Sequence, residues 1–481
     1  MNTLRIEPTA PPNEGMLTAM DTLCSQAFGA SQTSKMGTYC LTGLAVISVM
    51  FLFSSVFMWN TSSILIALGQ PVEVSYMAGD FIRYLMLGVP FLCIYELIQK
   101  VSQSRNEARP MLISTLMCNI INLGLGYYLV NWTDRGWKGA AVAHAVGEFV
   151  KVPTVLLCMA IGLGGDSGES DDTSDYSTKS NPQDTQHYLE VDSGADDEDE
   201  SEEDDIEFLH HIWEGFVISE ALSPSAIIEF LRIGVPGMLQ VMFEWWVKLW
   251  RIFISKKLIA SLFQPFSFSD SHKRVAFEVI ALLCGILPGQ AAIVGIGANS
   301  IIMNVSSITY TLYQGIAVSG NVRVGNALGA GDAHRAEIAS YLTFACGAIL
   351  SLVNVGLLLT FRNVLPWIFT SDLDIIEKAQ TLLLIIVAFQ FADAFNACVQ
   401  GVFRGSGRQA LAAKYNFFAF YIIGIPLGYD LGVREGFGVE GLWLGITAGL
   451  FSIAIGGTLV VLQSDWKKLA SEANSRLSRM S

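Results

Sequence analysis

The chain has 481 residues, of which 52% are apolar and only 15% charged, and its mean hydropathy is +0.45. Soluble domains carry about 25% charged residues, so the composition argues against a water-soluble globule. The formal charge of −15 is local: residues 164–207 hold 18 Asp or Glu against one Lys, a charge of −17, which leaves +2 for everything else.

Residues 1–15 are polar and Pro-containing and lack the apolar stretch of a secretory signal. Residues 16–30 have room only for the end of a helix. Crossing a bilayer takes about 20 mostly apolar residues, and such spans are predicted near 38–58, 77–99, 111–131, 139–163, 227–246, 290–320, 338–360, 376–402, 411–431 and 439–462. Assigning the connections alternately, one side of the membrane collects thirteen Lys or Arg and the other five. Basic loops stay in the cytoplasm, which places the C-terminus and the acidic segment there. That segment has too little apolar surface to offset the entropy of ordering and is expected to be a disordered linker. The eight cysteines show no metal-ligand or disulfide spacing and are expected to be free, buried thiols.

The chain repeats itself. QAFGA (26–30) matches NALGA (326–330) at an offset of 300, Gln99 matches Gln400 at 301, and Gly139 and Gly147 match Gly441 and Gly449 at 302. Two homologous helical bundles with a binding cavity between them are a recurrent transporter plan, in which one half rocks against the other.

The strings AMDTLCSQAFGA (19–30), WKGAAVAHA (137–145), GVPGMLQVMFEWW (234–246), FEVIALLCGILPG (277–289), VRVGNALGAGD (322–332) and GVFRGSGRQ (401–409) resemble the eukaryotic branch of the multidrug and toxic compound extrusion (MATE) family. The resemblance implies an all-α polytopic membrane protein with two pseudo-symmetric bundles of a twelve-helix plan, the first one to two helices being absent here. It also implies export of organic cations or other amphiphilic metabolites in exchange for H⁺ or Na⁺. The corresponding division is a non-family segment (1–15), an incomplete N-lobe (16–163), the acidic linker (164–210), a C-lobe (211–466) and a cytoplasmic tail (467–481). Residues 247–275 interrupt the family pattern with six Lys or Arg and one Asp. A central Lys or Arg costs about 2.5 to 3.5 kcal/mol on insertion scales, so this piece is read as a retained intron. An amphipathic loop on the membrane surface is the competing reading.

No phosphate loop and no supported Ser/His/Asp arrangement is visible, so an enzyme or a directly ATP-driven pump is not expected. Glu244 and Glu278 are the leading site candidates. They are 34 residues apart as written and five apart once the interruption is removed, flanking Trp245, Trp246 and Phe277. A carboxylate in low dielectric binds a proton more readily, so H⁺ and a cationic substrate can compete for it, and the tryptophans can add cation–π attraction. The resemblance places Asp393 where animal exporters carry an acidic residue. Asp21 suits a capping role as well as a transport role. His144, Glu148 and Lys151 share a helix face, and the favoured account is a neutralised Glu148 and Lys151 pair. Gln99, Gln400, Asn119, Asn122 and Asn416 can hydrogen-bond either a substrate or a neighbouring helix. Pro236, Pro366 and Pro426 are expected to bend helices or mark their ends.

A proton- or sodium-coupled multidrug antiporter is the leading function. The alternative is a non-transporting truncated or mispredicted relative, and a flippase of similar plan is a third reading. A monomer in contact with membrane lipid and a small organic cation, not with nucleic acid, is expected in the plasma or vacuolar membrane, with no cofactor beyond the coupling ion. Deleting residues 247–275 should raise the yield of correctly inserted protein, with or without restored N-terminal helices. Unchanged or lower yield would favour a genuine surface loop.

Overall fold

The computed structural model describes residues 13–67, 72–133, 135–161, 218–236 and 290–478. Every regular element among them is helical. The first half comprises α1 (Asn13–Gly29), α2 (Thr33–Trp59), the short α3 (Thr61–Ala67), α4 (Val72–Leu85), α5 (Val89–Ser104), α6 (Arg109–Asn131) and α7 (Trp137–Ala160). After α8 (224–236), the second half comprises α9 (Gln290–Gly329), α10 (Ala333–Phe361), α11 (Leu373–Gly405), α12 (Gln409–Arg434), α13 (Val439–Leu462) and α14 (Trp466–Ser478). Seven of these are long and apolar enough to cross a membrane, or eight counting the bent pair α4–α5. The chain is therefore an all-α polytopic membrane protein.

The packing is that of a protein solvated by lipid. On α6, Ser114 and Cys118 are buried while Leu112, Leu116, Ile120 and Leu123 face outward, and α2 likewise turns Val49, Leu52, Phe53 and Val56 outward. Lipid chains are as apolar as leucine, so helices associate through small and polar residues that pack closely. Most of the cysteines serve this inward role: Cys24, Cys93, Cys118, Cys158 and Cys398 are buried and free.

Two predicted spans are not single regular helices. The span over 77–99 breaks between α4 and α5 with a bend of 49°, where Gly88 approaches Ala145 closely and Pro90, lacking an amide N–H, starts the next helix. The span over 411–431 is interrupted by π-helical turns at Phe418–Gly424 and Asp430–Arg434, with Pro426 just beyond the first. A wider turn accommodates a proline ring that would clash with the carbonyl four residues before it. Pro366 lies in a short 3₁₀ turn between α10 and α11. Residues 218–236 follow the linker in chain order yet pack on the first half: the Thr42 hydroxyl donates to the Ala221 carbonyl (2.9 Å), and Phe230 lies beside Gly43.

The sequence repeat is reproduced in the backbone. Left-handed φ angles occur at Ser31 and Gly331, at Asn106 and Gly407, and at Gly136 and Gly438, so the offsets are again 300, 301 and 302. At the first pair even the closing bonds correspond, Gln32 N–H to Ala27 O and Asp332 N–H to Ala327 O, both 2.9 Å. The first two pairs lie just past helix ends, in the left-handed stop that glycine adopts without strain and asparagine tolerates, whereas Gly136 and Gly438 stand at the starts of α7 and α13. Gly331→Val should therefore lower the melting temperature of the purified protein by an amount corresponding to at least about 1 kcal/mol, whereas Gly331→Asn should change it little. Equal losses in the two variants would show that packing, not backbone conformation, sets the requirement.

Candidate functional site

In the second half, the centre of the bundle is polar along one line. Gln390, Asp393, Asn396 and Gln400 recur at steps of three, three and four on α11, which puts them on one face, and all four are buried. The Tyr313 hydroxyl on α9 donates to Gln390 Oε1 (2.8 Å) and accepts from Asn354 Nδ2 of α10 (3.1 Å). Gln390 Nε2 donates in turn to Thr309 Oγ1 on α9 (3.0 Å). Three helices are thus held together by a buried hydrogen-bonded chain beginning one turn from Asp393, which lies within electrostatic range of Tyr313.

Seven residues beyond Asp393, Gln400 Nε2 donates to Asn396 Oδ1 (3.2 Å). The remaining halves of the two amides, Asn396 Nδ2 and Gln400 Oε1, are buried without a hydrogen-bond partner among the described residues. A buried unsatisfied amide costs about 1 to 3 kcal/mol, so this donor and acceptor are available to a ligand. Asp393 and Gln400 therefore lie on one buried face of α11. Gln99 lies in the other half on α5, half-buried. Glu244, Glu278, Trp245 and Trp246 lie outside the described residues.

Of the other polar residues marked in the sequence, Glu148 and Lys151 pair at 2.8 Å as the favoured account had it, with His144 Nε2 4.0 Å from the same carboxylate. Asp21 makes an ion pair with Lys100 of α5 at 2.9 Å. Asn122 reaches His144 at 3.5 Å, Asn416 is buried, and Asn119 is exposed on α6. Tyr313, Gln390 and Asn354 did not stand out in the sequence, although Gln390 sits one turn before Asp393 and Asn354 is a lone amide in an apolar span.

The two halves meet at the end that the basic loops assign to the cytoplasm. Gln26 Nε2 donates to the Gly405 carbonyl at the end of α11 (3.0 Å), and Asn326 Nδ2 donates to the Ser104 carbonyl at the end of α5 (3.1 Å). Positions 26 and 326, and 104 and 405, are repeat partners, so the contact is reciprocal. Between these bonds, a Cβ at Gly29 would collide with the Asn326 carbonyl, and one at Gly329 with the Gln26 carbonyl. Thr22 adds a bond to the Arg404 carbonyl (2.7 Å) and accepts one from Gln409 (2.6 Å). The terminal helix α14 spans the joint: Lys35 Nζ donates to the Leu477 carbonyl (2.8 Å), and Arg476 to the Ser406 carbonyl (3.1 Å). Close beside this joint, burial lowers the pKa of Arg408 to about 10, and its guanidinium donates to Ser406 and Ser464 (3.0 and 2.9 Å).

The sequence matches the MatE family over residues 9–128 and 271–429. The chain belongs to the MatE family. Rabbit multidrug and toxin extrusion protein 2 is 28% identical over 459 residues, covering 95% of this chain and 63% of that protein. Arabidopsis thaliana Protein DETOXIFICATION 17 is 26% identical over 466 residues, covering 96% of this chain and 81% of that protein. The crystal structure of the eukaryotic MATE transporter AtDTX14 superposes with a TM-score of 0.70 at 25% identity, covering 97% of this chain and 87% of that one. The MatE chain thus spans under two thirds of the rabbit relative, and its fold is that of the eukaryotic MATE transporter.

Because the reciprocal contact leaves no room for a side chain, Gly329→Val should loosen it. A single cysteine placed at Thr22 in a cysteine-free background is expected to react with a water-soluble maleimide several-fold faster in that variant. Unchanged reactivity would mean that the joint does not depend on this approach.

Proposed function

We propose that the protein is a secondary active antiporter that exports an amphiphilic organic cation in exchange for H⁺, or alternatively Na⁺, by alternating access. The buried Asp393 carries this reading. It stands on the polar face of α11, one turn from the Tyr313, Gln390 and Asn354 chain, one turn from the spare amide group of Asn396 and two turns from that of Gln400. An ionised carboxylate at membrane depth costs several kcal/mol, and either a proton or an organic cation removes that cost. The two ligands then compete for one charge, which is the thermodynamic content of antiport.

The reciprocal Gln26 and Asn326 contact supplies the mechanical half of the reading. It closes the cytoplasmic end, and opening it requires the two halves to separate as bodies, since the Gly29 and Gly329 approaches lie in register with the hydrogen bonds. The printed names of the rabbit and plant relatives, which refer to extrusion and detoxification, support the choice of an organic substrate. Glu244 and Glu278, with Trp245 and Trp246 beside them, remain the proposed partners of Asp393 in the second lobe. Residence in the plasma or vacuolar membrane, as a monomer, belongs to the same proposal.

In proteoliposomes bearing the full chain, Asp393→Asn, Glu244→Gln and Glu278→Gln should each reduce exchange of an organic cation against a pH gradient by at least tenfold, while Glu148→Gln has a smaller effect. Loss of one titrating group also weakens the pH dependence, because each unit of pKa coupling corresponds to about 1.4 kcal/mol. Exchange with unchanged pH dependence in all three would remove them from the coupling site. No exchange by the unmodified chain would favour a non-transporting relative.

A further inference from the structure

We propose that Glu96 is a second proton-binding site, in the first lobe, and that its protonation is a separate step of the exchange cycle. The inference rests on the antiport reading for its role in transport, but not for its charge. It comes from counting charge inside the first half. Asp21 on α1, Glu96 and Lys100 on α5, and His144, Glu148 and Lys151 on α7 all belong to one electrostatic cluster. Lys100 is committed to Asp21 at 2.9 Å. Lys151 is committed to Glu148 through both carboxylate oxygens, at 2.8 and 2.9 Å, and its ammonium also lies 5.1 Å from the centre of the Tyr95 ring.

Glu96 is the third carboxylate. It lies within electrostatic range of Lys100, Lys151, Asp21 and Glu148, yet forms no ion pair or hydrogen bond among the described residues. Three carboxylates and two ammonium groups leave one negative charge in the cluster while His144 is neutral. Arg404 of the second half lies within electrostatic range of Lys100 but is not among the groups that act on Glu96. A carboxylate without its own partner at membrane depth is costly, and a bound proton removes the charge with no further ligands. Sodium would need several oxygen ligands and would be repelled by the two lysines, so the geometry favours H⁺.

The position links the proton to motion. Glu96 is two turns from Ser104 on the same helix, and the Ser104 carbonyl is the one that accepts from Asn326 across the lobes. Between them, Lys100 ties α5 to α1 through Asp21, one residue before the Thr22 hydroxyl that bonds the Arg404 carbonyl. A change of charge at Glu96 therefore acts on both helices that form the first lobe's side of the joint.

The test uses the full chain in lipid nanodiscs, titrated with pH and followed by the infrared carbonyl stretch of protonated carboxyl groups. Glu96→Gln should remove one titrating carboxyl band, whereas Asp393→Asn should leave that band in place. Glu96→Gln, an isostere of the protonated acid, should melt within a few degrees of the unmodified protein, whereas Glu148→Gln, which strands Lys151, should melt lower. A band unaffected by Glu96→Gln overturns the proposal. So does a Glu96→Gln protein that unfolds or melts as low as Glu148→Gln, because Glu96 would then be an ionised partner of the lysines. In proteoliposomes with a one-unit pH gradient, loss of one coupled proton should lower steady-state accumulation about tenfold, and unchanged accumulation would overturn the coupling. If the unmodified chain transports nothing, the antiport reading fails while the infrared titration still decides Glu96.

Discussion

The fold is organised around a contact between two helix ends that are copies of each other. The amide side chains at positions 26 and 326 each reach across to a terminal carbonyl of the opposite half, and between them the backbones approach so closely at Gly29 and Gly329 that no side chain fits. Hydrogen bonds to helix-terminal carbonyls satisfy groups that would otherwise be orphaned. A backbone approach of this kind has few intermediate positions, because separating it loses the bonds and the packing together.

Away from this joint, the arrangement follows from placing polar groups inside and apolar groups against lipid. The second half solves the problem with neutral groups: tyrosine, glutamine, asparagine and threonine hydroxyl or amide groups bond one another around one buried aspartate. The first half solves it with charges, through two ion pairs whose partners sit on α1, α5 and α7. Breaking a buried pair by removing one partner is more damaging than never having it, so the charged half is the less tolerant of substitution. Related by repeat in backbone, the halves are chemically unlike.

Much of this was legible in the sequence. Apolar runs of membrane-spanning length determine the helices, since no other open structure satisfies its backbone in lipid. The drift of the repeat from 300 to 302 reappears in the positive-φ residues at the helix ends and starts, because a helix boundary is a local device that a few residues encode. Pairing of Glu148 with Lys151 was legible for the same reason, three residues apart on one helix face. The break between α4 and α5 was less so: Gly88 and Pro90 are visible, but whether a helix bends there depends on how close Ala145 comes.

What only the tertiary structure decided are the contacts between distant segments. Nothing in the sequence joins Asp21 to Lys100, Tyr313 to Gln390 and Asn354, or Gln26 to Gly405, since each pairing depends on the relative rotation and depth of separate helices. An apolar pattern states that a helix is buried in a membrane and leaves open which of its faces meets which neighbour. Asp393 could be named from the sequence through the family resemblance, as an acid in the middle of an apolar span. Its polar surroundings, and the third carboxylate at Glu96 left over when two lysines are paired, emerge only when side chains from several helices converge.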